Sequence, residues 1–115
     1  MIWIQYPAIP FYRVETMSIH INKNDENKEL IIKVSGNFDF SIHPQFRNSY
    51  QDLDKSYSVI VDLKTTEYMD SAALGMLLLL DDEFSNHKIK IINCNDFIKQ
   101  VLQIAHFEKK FDIEQ

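Results

Sequence analysis

The sequence predicts an α/β fold, a small mixed β-sheet with helices packed on it, in the order ββαβαβα with a possible final strand. Three observations carry this. Two segments of alternating apolar residues flank a polar stretch near the start of the regular part, the pattern of a hairpin with a longer loop. Val59, Ile60, Val61 and Leu63 form a nearly continuous apolar run, as in a strand buried on both faces of a parallel sheet. Beyond them, segments of helical period alternate with strand-like ones, which implies crossover units. At 115 residues and 45% hydrophobic content, the chain is the size of one domain.

Residues 1 to 16 differ from the rest. Pro7 and Pro10 interrupt Trp3, Ile4, Tyr6, Ile9, Phe11 and Tyr12, which disfavours a regular element. They read as an N-terminal extension, with the domain proper at 17–115. Ile19 and Ile21 alternate with His20 in a first strand. Asn22 to Lys28 is a polar turn. Leu30, Ile32 and Val34 make a second strand, closed by Ser35 and Gly36. Pro44 suits the first turn of a helix, where its missing N–H is harmless. Phe46, Tyr50 and Leu53 then recur as one apolar stripe, predicting a helix over about residues 44 to 54. After the strand at 59–63, residues 64 to 69 read as a loop. A helix starts at Asp70 or Ser71 and runs to about Phe84. Ile89, Ile91 and Ile92 form the next strand. Asp96 is the expected N-cap of a last helix bearing Ile98, Val101, Leu102 and Ala105. Phe111 and Ile113 supply the possible final strand.

Composition excludes several function classes. A net charge of −5 leaves no dense cationic face to displace counterions from nucleic-acid phosphates. The longest apolar run, from Ala72 to Leu80, is far short of the roughly 20 residues that span a membrane. The N-terminus lacks the basic stretch of a signal peptide, so the expected location is the cytoplasm. One cysteine, Cys94, permits neither an internal disulfide nor a CxxC site. His20, His43, His87 and His106 show no ligand spacing. With only Gly36 and Gly75, there is no Gly-rich phosphate loop. No G-x-S-x-G elbow surrounds a serine. No catalytic residue, metal or cofactor is expected.

The informative stretch is VIVDLKTTEYMDSAALGMLLLL, residues 59 to 80. In open α/β sheets, sites gather at the carboxyl ends of strands. Ser71 falls there, at a helix N-terminus, where free N–H groups and the helix dipole tolerate an anion. On a helical wheel Ala73, Met76, Leu77, Leu80 and Phe84 face the core. Ser71, Gly75 and Asp82 lie opposite, and Leu78 and Leu79 flank that polar side. At least one of the two leucines should be exposed, as an apolar anchor of a partner-binding face beside Ser71.

The strand V-I-V-D-L followed by D-S-A-A-L-G resembles the STAS domain of anti-sigma-factor antagonists, whose pattern is a strand ending in D-L, a short loop and D-S-[ST]-G-L-G. The resemblance extends from Met17 to about Ile113. It includes Gly36-Asn37-Phe38-Asp39, similar to a G-x-x-D that precedes the family's first helix. It implies that Ser71 is phosphorylated by a partner kinase, with Asp70 and Asp39 flanking the site. It also implies that the unphosphorylated form binds a kinase-type anti-sigma factor, that phosphorylation breaks this complex, and that a metal-dependent serine phosphatase reverses the mark. Two positions depart from the pattern. Ala72 stands where a second hydroxyl is usual, and Ala73 where a glycine is. Two other functions fit the resemblance: a STAS subunit that is never phosphorylated and docks on the ATPase of a transporter, and a nucleotide-binding STAS module.

Overall fold

The computed structural model describes residues 18–115, so the N-terminal extension lies outside the described residues. Strands β1 (Ile19–Asn24) and β2 (Glu29–Val34) form the expected hairpin, with a turn tighter than the polar composition suggests. Asn24 tightens it, its Oδ1 accepting from the N–H groups of Glu26 and Asn27. β3 (Gly36–Phe38) follows, then a 3-10 turn (Phe40–Ile42) and helix α1 (His43–Asn48). Next come β4 (Ser58–Asp62), β5 (Thr66–Met69), α2 (Ser71–Glu83), β6 (Lys90–Ile92), α3 (Asp96–Ile104), a 3-10 turn (Phe107–Lys109) and β7 (Asp112–Ile113). The main sheet runs β1-β2-β4-β6-β7. β1 is antiparallel to β2, and every other pairing in it is parallel.

β3 and β5 make a separate two-stranded parallel sheet, where the sequence suggested only loops. Gly36 permits the break after β2: its φ of +81° lies in the left-handed region that favours glycine. In β5 Thr66 and Met69 are buried while Glu67 and Tyr68 are exposed, so no period-2 signal exists to read. Thr66 is a buried polar residue, and its hydroxyl donates to Val34 O at 2.7 Å.

Three further expectations need correction. The first helix stops at Asn48 and gives way to turns, in which Tyr50 N–H donates to Arg47 O and Leu53 N–H to Tyr50 O. Phe46 and Tyr50 are nevertheless buried, as their spacing implied. The N-cap of α3 is Asn95, whose Oδ1 accepts from Ile98 N at 2.8 Å, and Asp96 sits in the first turn. β4 buries one face only. Val59 and Val61 are in the core, while Ile60 and Asp62 are half-buried.

Among the described residues the core is one cluster. Leu30, Ile32, Val34, Val59, Val61 and Ile91 project from one face of the main sheet onto Ala73, Met76, Leu77 and Leu80 of α2 and Ile98 and Leu102 of α3. Phe38, Phe46, Tyr50 and Phe84 form a chain of aromatic contacts with centroids 5.2 to 6.0 Å apart, linking β3 and α1 to the end of α2.

Candidate functional site at the start of the second helix

The parallel pairing of β3 with β5 builds the site. Phe38 stands opposite Met69, so the next residues, Asp39 and Asp70, leave the two strands side by side. Asp70 N–H donates to Phe38 O at 3.4 Å, which ties the strand ends together. Each carboxylate then turns back on its own chain. Asp70 is the N-cap of α2, and its Oδ1 accepts from Ala73 N at 3.1 Å. Asp39 caps the 3-10 turn, accepting from Ser41 N at 3.0 Å and Ser41 Oγ at 2.5 Å. Both acids have local structural work, and among the described residues neither is in an ion pair.

Ser71 is the first residue of α2 and is exposed. The serine and threonine hydroxyls of this region differ sharply. Ser41 is bonded to Asp39, Thr65 to Ser35 at 2.8 Å, and Thr66 to Val34 O. Ser71's hydroxyl makes no hydrogen bond within the described residues. Because Asp70 supplies the cap, the fold has no use for the Ser71 oxygen.

Along α2, Ser71, Gly75, Leu78 and Asp82 are spaced at i, i+4, i+7 and i+11, one helical face, and all four are exposed. Leu79, beside them, is 50% exposed and Leu78 40%, so neighbouring elements cover neither leucine. Gly75 is less expected. It lies inside a 13-residue helix, and a Cβ built there meets nothing within 4 Å. Neither packing nor backbone conformation asks for glycine.

Two exposed aromatic groups near these strand ends escaped the sequence reading. Phe40, 67% exposed, follows Asp39 and stacks on the His43 ring at 5.2 Å. Tyr68, on β5, stacks on Phe97 of α3 at 6.1 Å. An aromatic residue in a short turn carries no periodicity that would mark it as exposed. Among the described residues no cluster of His, Cys, Asp and Glu fits a metal ion, and no helix is long and apolar enough to cross a membrane.

The STAS domain family model matches residues 18–115. The chain belongs to the STAS family. A STAS-domain containing protein of Pseudomonas aeruginosa (strain UCBPP-PA14) is 38% identical over 102 residues, covering 84% of this chain and 99% of that protein. The fold recurs in solved structures. A putative anti-sigma factor antagonist from Thermotoga maritima superposes with a TM-score of 0.72 at 14% identity, covering 86% of this chain and 87% of that one. The anti-sigma factor antagonist SpoIIAA in its unphosphorylated form gives 0.63 at 15% identity, with 84% and 86% covered. The phosphorylated form of Bacillus SpoIIAA gives 0.60 at 14% identity, with 84% and 91% covered. At these identities the structures share a fold with this STAS domain, a mixed sheet with helices packed on it.

Proposed function

We propose that this STAS domain is a phosphorylation switch of the anti-sigma-factor antagonist type, with Ser71 as its phospho-acceptor. In this reading the unmodified α2 face (Gly75, Leu78, Leu79 and Asp82) binds a serine kinase that doubles as an anti-sigma factor. Phosphorylation of Ser71 releases that partner, and a metal-dependent serine phosphatase resets the switch. The observation that supports the reading is the exposed hydroxyl of Ser71, unbonded among the described residues, beside serines and threonines whose hydroxyls are engaged. Gly75 supports it. A glycine in a helix interior is worse than alanine by about 1 kcal/mol, and close approach of a partner is a reason to keep it.

The chemistry of release follows from charge. A phosphate adds roughly −1.5 to −2 at neutral pH. At the start of α2 the Ala73 N–H already serves Asp70, Asp39 lies alongside, and the chain carries −5 in all. A partner face pressed against Ser71 must then desolvate an anion or bring its own cation, and an unpaired buried charge is expensive.

Incubation with a histidine-kinase-like ATPase partner and ATP, followed by intact mass and phosphopeptide mapping, tests the proposal. One phosphate on Ser71, absent from Ser71→Ala, is the expected result. A phosphate on Ser41, Thr65 or Thr66, with Ser71→Ala still labelled, overturns it.

A further inference from the structure

The face of the main sheet turned away from the core carries a cavity of about 460 Å³ at the carboxyl ends of β2 and β4. That volume is within the range of small-molecule sites, roughly 300 to 1,000 Å³, and strand ends are where open α/β sheets bind ligands. Its floor is the half-buried Ile31. Lys33, two residues on and therefore on the same face, stands beside it. His20 of β1 is Lys33's antiparallel partner and lines the same cavity, so two nitrogen donors converge there. The bonded hydroxyls of Ser35 and Thr65 close one wall.

Asp62 is Lys33's neighbour on β4, yet the two form no ion pair. Asp62 Oδ1 accepts instead from Lys64 N and from Asn93 Nδ2, each at 3.0 Å. Among the described residues no ion pair engages the Lys33 ammonium. The cavity thus offers an apolar floor, an ammonium that is in no ion pair among the described residues, and a second donor. With Asp62 on the rim beside this one ammonium, the site tolerates no more than a single negative charge on an occupant.

We propose that this cavity is a binding site for a small organic monoanion, its oxyanion head on Lys33 and His20 and its apolar body over Ile31. The site is independent of the Ser71 switch.

Benzoate is the probe, with neutral benzamide as its near-isostere, titrated into the full chain and followed by two-dimensional amide NMR. The expected result is saturable shifts at His20, Ile31, Lys33 and Ser35, with benzamide weaker by about tenfold, the usual scale of one charge-assisted hydrogen bond. Lys33→Met should weaken benzoate by a similar factor, Lys33→Arg should restore it, and Ser71→Ala should leave it unchanged. Shifts scattered over the surface, equal binding of benzamide, or a Lys33→Met protein that is folded and binds benzoate like the wild type each overturn the proposal. Loss of phosphorylation at Ser71 without loss of benzoate binding would overturn the switch reading alone.

Discussion

Gly75→Ala separates what the fold wants from what a partner wants. Position 75 lies five residues into a 13-residue helix, beyond the first turn, so alanine's full helix advantage over glycine applies, about 0.5 to 1 kcal/mol. Nothing offsets it: the new methyl meets no atom within 4 Å, and the residue's φ is not positive. For a domain of this size that gain raises the melting temperature by roughly 2 to 6 °C. The same methyl would protrude from the face that carries Ser71, Leu78 and Asp82. If a partner packs there at interior density, one added methyl costs about 1 to 3 kcal/mol, a loss of roughly five- to 150-fold in affinity. Thermal unfolding by circular dichroism reads the first effect, and titration of the unmodified protein against the kinase partner proposed above reads the second. The expected result is a more stable protein that binds more weakly. A stabilised variant that binds like the wild type would place the interface elsewhere. A destabilised variant would refute the reading of Gly75 as unconstrained by the fold.

Other expectations follow from the same geometry. Ser71→Ala should change stability by no more than about 0.5 kcal/mol in urea unfolding, the range of surface substitutions that break no feature. Asp70→Ala should lose about 0.5 to 2 kcal/mol with the cap. Leu78→Asp should leave the melting temperature nearly unchanged and abolish partner binding, whereas Leu77→Ala, in the core, should lose about 2 to 5 kcal/mol. Burial pushes the Cys94 thiol up to about 11 from 9.0, so the folded protein should resist iodoacetamide at neutral pH and react once unfolded. The unfolded chain then loses this proton first as pH rises, so the Cys94 contribution should lower stability between about pH 9 and 11; Cys94→Ala should flatten that decline.

What could be read from the sequence was what periodicity encodes. The alternation in β2 and the stripe of Ala73, Met76, Leu77, Leu80 and Phe84 on α2 are buried as expected, because one face of each element meets the core. By subtraction the same stripe also located the exposed face, with Ser71, Gly75, Leu78, Leu79 and Asp82. The misses have local causes. β3 is three residues long and β5 four, and each exists by virtue of the other, a pairing across 30 residues that no window detects. Asn95 and Asp96 are both good N-caps, and only the backbone entering α3 selects Asn95. The coverage of β4 depends on where the helices pack. Ile60 looks like Val59 and Val61 in the sequence, yet it lies on the face that carries the Lys33 cavity rather than on the core face.

In the proposed switch, magnitudes decide where a phosphate on Ser71 would take effect. α2 is held by Met76, Leu77 and Leu80, all nearly inaccessible. Burying three side chains of that size is worth roughly 5 to 9 kcal/mol, before the Asp70 cap is added. A charge at the helix N-terminus interacts with the dipole by typically 0.3 to 1 kcal/mol, up to about 2, and there the sign is favourable. Repulsion from Asp70 and Asp39 acts across water, where surface charge pairs are worth about 1 kcal/mol or less. The modification therefore changes the energy of α2 by much less than the packing that anchors it, and the helix stays in place. Against a partner the balance reverses. The Ser71 face has only Leu78 and Leu79 as large apolar anchors on α2, worth a few kcal/mol between them, and a desolvated phosphate without a cation costs at least as much. The same group that the fold barely registers is thus large enough to dissociate a complex.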